Sequence, residues 1–92
     1  MSYFRNFKKL KEKAKEVTIA DLYPWELKTT GNLLRGFCPF HQDTKTPNFY
    51  VYPETNTWYC FAGCGGGDSI DFYKKLKTTS FNKAVRRLAN DF

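Results

Sequence analysis

Three cysteines and a single histidine are the residues of this chain best suited to chemistry, and they arrive as two close pairs. Two residues separate Cys38 from His41, eighteen follow, and three separate Cys60 from Cys64. Three thiolates and an imidazole complete the tetrahedral shell that a structural zinc takes, whereas a catalytic zinc keeps one position open to water. The two-residue spacing suits a tight turn that aims both side chains at one ion. In the second pair Gly63 absorbs the additional residue, because its backbone can take positive φ without a Cβ clash. The pattern predicts one closed site with Cys38, His41, Cys60 and Cys64 as ligands and one structural Zn2+ as cofactor. The residues argue against catalytic zinc of the deaminase kind. Asp43 stands where an acid-base Glu is needed, no Pro-Cys-x-x-Cys segment is present, and four protein donors leave water no position.

Two hairpins supply the scaffold that such a site needs. Segments 25–29 and 33–37 read as strands joined around Gly31-Asn32, a turn pair that tolerates positive φ, and they deliver Cys38. A second hairpin runs through 48–52, turns at Pro53-Glu54-Thr55-Asn56 and returns through 57–61 to deliver Cys60. Before the hairpins, Phe4, Phe7, Leu10, Ala14 and Val17 fall on one face of a helix whose other sides carry lysine. Thr18, with Asp21 three residues on, is expected to cap a short second helix that ends at Pro24. After the hairpins, Gly65-Gly66-Gly67 is expected to break the strand. Asp68 or Ser69 then caps a helix that buries Ile70, Phe72, Tyr73 and Leu76. Ser80 opens a last helix with Phe81, Ala84, Val85 and Leu88 on one stripe. The fold class is α+β: a small zinc-ribbon antiparallel β-sheet flanked by helices at both ends. A single domain is expected over 1–92, with N-terminal helices in 1–24, zinc-ribbon hairpins in 25–64 and C-terminal helices in 68–92.

The chain has 92 residues, and a domain this short buries only about two-thirds of its unfolded surface. Metal is the expected staple, since zinc binding of about 10–16 kcal/mol in finger peptides is folding free energy. An odd number of cysteines, all assigned to metal, points to a reducing compartment rather than a disulfide framework. No apolar run approaches bilayer-spanning length, and the charged start lacks the apolar core of a signal peptide. A cytoplasmic protein with no membrane partner is expected. The net charge of +6 is uneven. Residues 1–17 carry six Lys and Arg against two Glu, and residues 72–92 carry six against one Asp, while the middle is net acidic. A basic chain invites a nucleic-acid partner.

Aromatic residues crowd the second hairpin: Phe49, Tyr50, Tyr52, Trp58, Tyr59 and Phe61. Strand alternation sends Phe49 and Val51 to one face and Tyr50 and Tyr52 to the other. Rings left open by the helices, flanked by Lys28, Arg35 and Lys45, would make a stacking platform with phosphate contacts; core packing or cross-strand pairing is the alternative for each ring. Tyr50, Tyr52 and Trp58 are the rings assigned to that platform. The triple glycine could cradle a phosphate at a helix N-terminus. However, Asp68 already places an anion there, and the Lys-Ser/Thr ending of a P-loop is missing.

These residues also carry a resemblance. Arg35-Gly36-Phe37-Cys38-Pro39-Phe40-His41, Lys45-Thr46-Pro47-Asn48-Phe49, Tyr59-Cys60-Phe61 with Gly63-Cys64, and Gly66-Gly67-Asp68 with Ile70-Asp71-Phe72 are similar to the N-terminal zinc-binding domain of DnaG-type bacterial and phage primases. Ser80-Phe81, Ala84-Val85 and Arg87-Leu88-Ala89 resemble the helix that closes that domain. The family usually has two residues, not three, between its last two ligands, and one fewer between the histidine and Thr-Pro. The resemblance implies a zinc ribbon that binds single-stranded DNA template during RNA primer synthesis. Ligands map to Cys38, His41, Cys60 and Cys64, and template contacts to Arg35 and Lys45. On this reading the chain is not an enzyme by itself, since it has no acidic cluster for the two metals of nucleotide transfer. A primase catalytic domain, in cis or in trans, is then a partner. A different class of function remains open: a protein-docking ribbon whose rings meet a replicative helicase or the catalytic domain.

Overall fold

The structure is a computed structural model that describes residues 3–41 and 46–91. Nine elements follow in order: α1 (Tyr3–Lys15), α2 (Ile19–Leu22), β1 (Lys28–Thr30), β2 (Leu33–Gly36), β3 (Phe49–Tyr52), β4 (Thr57–Cys60), β5 (Gly65–Gly67), α3 (Ser69–Lys77) and α4 (Phe81–Asp91). The strands form one antiparallel meander in the order β1-β2-β3-β4-β5. Among the described residues, no helix is long and apolar enough to cross a membrane.

The period-2 pattern sets the two faces of this sheet. Phe49 pairs with Cys60 and Val51 with Trp58, and all four point inward and are buried. They pack with Ile19, Tyr23, Cys38 and Phe72 in a first core. Each large apolar side chain moved there from water contributes about 1.5–3 kcal/mol. Tyr23 stacks on Phe49 with ring centroids 5.5 Å apart and donates its hydroxyl to the Phe37 carbonyl; burial raises its phenol pKa above the usual value. Gly36 makes room for it, because a Cβ there would lie 2.7 Å from the Tyr23 hydroxyl.

A second core lies on the far side of α3. Ile70 and Tyr73 meet Ala14 of α1 and Ala84, Val85 and Leu88 of α4 there, with Phe7, Leu10 and Val17 packed alongside. The 3.6-residue stripes of the three helices therefore close on one another, and α3 is shared by both cores. The helix opens on a full capping box. Asp68 Oδ1 accepts from Asp71 N–H at 3.0 Å, and Asp71 Oδ2 accepts from Asp68 N–H at 3.2 Å. Ser80 Oγ accepts from Lys83 N–H at the start of α4.

Three local expectations are corrected. The triple glycine does not break the sheet: Gly65, Gly66 and Gly67 pair with Cys60, Tyr59 and Trp58 as β5. Side-chain room explains it, since a Cβ on Gly66 would lie 2.6 Å from the Trp58 carbonyl oxygen. Thr18 makes no side-chain cap on α2. Asn56 does so from the β3–β4 turn, accepting from Ile19 N–H at 3.0 Å while its Nδ2 donates to the Lys15 and Val17 carbonyls. Finally, β1 starts at Lys28 rather than residue 25, and Trp25 stands 57% exposed before it.

Candidate metal centre and open sheet face

The two ligand pairs occupy the same end of the sheet. Cys38 and His41 follow β2; Cys60 closes β4, and Cys64 ends the four-residue turn that leads into β5. The antiparallel pairing of β2 with β3 and of β3 with β4 brings these ends side by side. The donor atoms of Cys38, His41, Cys60 and Cys64 all lie within 4.8 Å of one another, and His41 Nδ1 approaches Cys64 Sγ to 3.0 Å. Tetrahedral zinc-sulfur bonds of about 2.3 Å place ligand atoms roughly 3.8 Å apart, so the donor set fits one structural zinc with no position left for water.

Backbone amides prepare the sulfurs. Phe40 N–H points to Cys38 Sγ at 3.4 Å. Burial pushes the Cys60 thiol up, but the backbone amides of Cys64 and Ala62, together with the Cys38 and Cys64 side chains, leave its pKa below the ordinary value. Gly63, at φ 100°, makes the turn. At Cys38 burial dominates and pushes the thiol up to about 12; metal entry displaces that proton, so affinity rises with pH. Burial also raises Cys64, while the Lys75 charge opposes it. Lys75 Nζ sits 5.9 Å from the Phe40 ring centre. That ring in turn meets Phe49, Trp58 and Phe72. The loop carrying Cys38 and His41 is thus anchored in the first core.

On the opposite face of the sheet, one cross-strand row runs Lys28, Arg35, Tyr50, Tyr59, Gly66. Arg35 donates from Nε to the Pro47 carbonyl at 2.9 Å and holds its guanidinium 5.6 Å from the Tyr50 ring centre. Tyr50 meets Phe61 edge-on at 5.4 Å, and Phe61 meets Tyr59 at 4.7 Å. A groove of about 310 Å³ runs beside these rings, lined by Leu33, Asn48, Tyr50, Tyr52 and Phe61. Lys28, Arg35, Tyr50 and Tyr52 accordingly share the face expected of them, and Lys45 lies outside the described residues. Trp58 is a correction. It is 3% exposed, and its indole Nε1 donates to the Asp68 carbonyl, so it offers no ring face to a ligand. Tyr59 and Phe61, 44% and 63% exposed, are the open rings of that hairpin instead. Carrying the alternation on from Val51, which pairs with Trp58, would have separated Trp58 from Tyr59.

Comparison with known proteins agrees with this geometry. The CHC2 zinc finger family model matches residues 3–92. A DNA primase of Thermotoga maritima is 41% identical over 81 residues, covering 87% of this chain and 14% of the relative. A DNA primase of Mycolicibacterium smegmatis is 38% identical over 87 residues, covering 94% of this chain and 13% of its own. The crystal structure of the Aquifex aeolicus primase, comprising zinc-binding and RNA polymerase domains, superposes with a TM-score of 0.77 at 35% identity, over all of this chain and 22% of that one. The chain thus spans only about a seventh of the curated relatives it matches. Because the match runs nearly end to end and the shared fold carries a Cys3His cluster, this chain belongs to the CHC2 zinc finger family, as a zinc-binding domain of the DNA primase type.

Proposed function

We propose that this zinc domain grips and selects single-stranded DNA template for RNA primer synthesis, using the open face of its sheet. The observation that carries this reading is the Tyr50, Phe61 and Tyr59 cluster beside Arg35 and Lys28. Exposed rings next to cations are what sequence-tolerant stacking on a single strand requires, at about 1–3 kcal/mol per stacked base. Tyr52 extends the ring surface, and Lys45, which lies outside the described residues, is assigned a phosphate contact from its place in the sequence alone. Zinc acts at a distance, by fixing the ends of β2 and β4 so that the rings keep their spacing. Nucleotide transfer belongs to a separate catalytic domain, in cis or in trans. In support, the Cys3His cluster is the one group of metal donors among the described residues, and the relatives are far longer than this chain.

The test is fluorescence anisotropy of the zinc-loaded protein with a labelled single-stranded oligonucleotide across a salt series. Tyr59→Ala with Phe61→Ala is expected to weaken binding tenfold or more, and Arg35→Ala with Lys45→Ala to weaken it and flatten its salt dependence. Unchanged binding by both double variants overturns the reading. The exposed Trp25 and Phe61 favour a second one, in which the rings dock on a helicase or on the catalytic domain. Docking predicts loss of that protein contact with DNA affinity intact.

A further inference from the structure

The two basic segments of the sequence lie far apart along the chain but come together in the fold. Helices α1, α3 and α4 carry twelve Lys and Arg against three acidic residues, leaving the remainder of the chain with three against six. Their apolar stripes are consumed in the second core, which turns the charges outward. Lys8, Lys9, Lys13 and Lys15 on α1, Lys77 on α3, and Lys83, Arg86 and Arg87 on α4 are all exposed. Neither α1 nor α4 packs extensively on a strand. The positive surface of α1 and α4 is therefore separate from the ring-bearing face of the sheet.

We infer that this helical layer is a second nucleic-acid surface, one that holds the phosphate backbone, duplex included, without reading bases. Two features select nucleic acid over an acidic protein. First, protein interfaces are centred on buried apolar anchors, and among the described residues this layer exposes almost none. Trp25, Tyr59 and Phe61 lie outside the helices, and Phe81, the one large exposed apolar side chain there among the described residues, is already met by Phe7 and by the Lys74 ammonium. Second, cations from different helices converge at one point. A cleft of about 290 Å³ between the end of α3 and α4 is lined by Tyr73, Lys77, Thr79 and Arg87. A point charge, a guanidinium fork and a hydroxyl-bearing side chain around one concavity suit a phosphate. A charged surface whose one exposed ring among the described residues, Phe81, is already covered lacks the stacking platform for a single strand, yet it suffices for a backbone.

The experiment uses the zinc-loaded protein and a labelled 20-base-pair DNA duplex, with anisotropy read across a salt series. The wild type is expected to bind at low salt. A triple variant, Lys77→Gln with Lys83→Gln and Arg87→Gln, is expected to lower the slope of log K against log salt by about 2–3, since each lost phosphate contact removes about 0.9. Tyr59→Ala with Phe61→Ala should leave duplex binding as it is. That combination keeps the two surfaces distinguishable: loss of duplex binding in the ring variant overturns the helical site, whereas failure of the ring variant to affect single strands overturns only the sheet site. No duplex binding at low salt, an unchanged slope in the triple variant, or equal binding of polyglutamate also overturns the inference. Should the triple variant not fold, amide shifts of the wild type titrated with the duplex decide. Shifts on α3 and α4 support the inference, and shifts confined to β3 and β4 overturn it.

Discussion

At the scale of single residues, Asn56 shows how much one side chain can hold. It takes φ 53° in the turn after β3, caps the first N–H of α2, and donates to two carbonyls at the end of α1. Replacing it with Ala leaves those groups without partners and removes the polar side chain that lets Asn tolerate a left-handed φ. The expected cost is about 2 kcal/mol, read by urea denaturation of the zinc-loaded protein; Asn56→Gly, which relieves the backbone alone, should recover only a small part. A cost below that of an ordinary surface substitution counts against this role. The sequence hid Asn56 because its partners lie roughly forty positions away, whereas a local signal, Thr18 with Asp21, pointed to a cap that does not form. Ligands were legible for the opposite reason. Metal coordination imposes short spacings, and two pairs of Cys and His are hard to produce otherwise.

At the scale of elements, helices and inner strands were readable from periodicity, while the fifth strand was not. Ile70, Phe72 and Tyr73 announce α3, and Phe49 with Val51 announces the buried face of β3. Gly65-Gly66-Gly67 has no side chains to alternate, and glycine is depleted in strands. Its role is close approach. The Tyr59 ring leans across Gly66, where a Cβ would come within 2.8 Å of Tyr59 Cδ1 as well as into the Trp58 carbonyl. Gly66→Ala should therefore cost about 1–3 kcal/mol by overpacking and tilt the Tyr59 ring off the open face. Thermal melting reads the first effect and single-strand affinity the second. A stable variant with unaltered affinity would show that β5 does not support that ring.

At the scale of the whole molecule, the two cores stand or fall together. The first core depends on zinc, because Cys38 and Cys60 are among its buried members and the Cys38–His41 loop inserts Phe40 between Phe49, Trp58 and Phe72. The second core includes two alanines among its six buried residues, Ala14 and Ala84, too little apolar volume for three helices to persist alone in so short a chain. Helix α3 couples them. Phe72 faces the sheet while Ile70 and Tyr73 face the helices, and the Asp68 carbonyl at its start accepts the Trp58 indole. Asn56 adds a second tie, from the β3–β4 turn to the junction of α1 and α2. Complete removal of zinc should accordingly unfold ribbon and helices in one transition. Trp fluorescence, which reports Trp58 with Trp25, and far-ultraviolet circular dichroism, which reports the helices, should change together as chelator is added and recover together when zinc is restored. Helical signal that outlasts the fluorescence change would separate the cores, and would mean that the basic layer folds without the metal that organises the sheet.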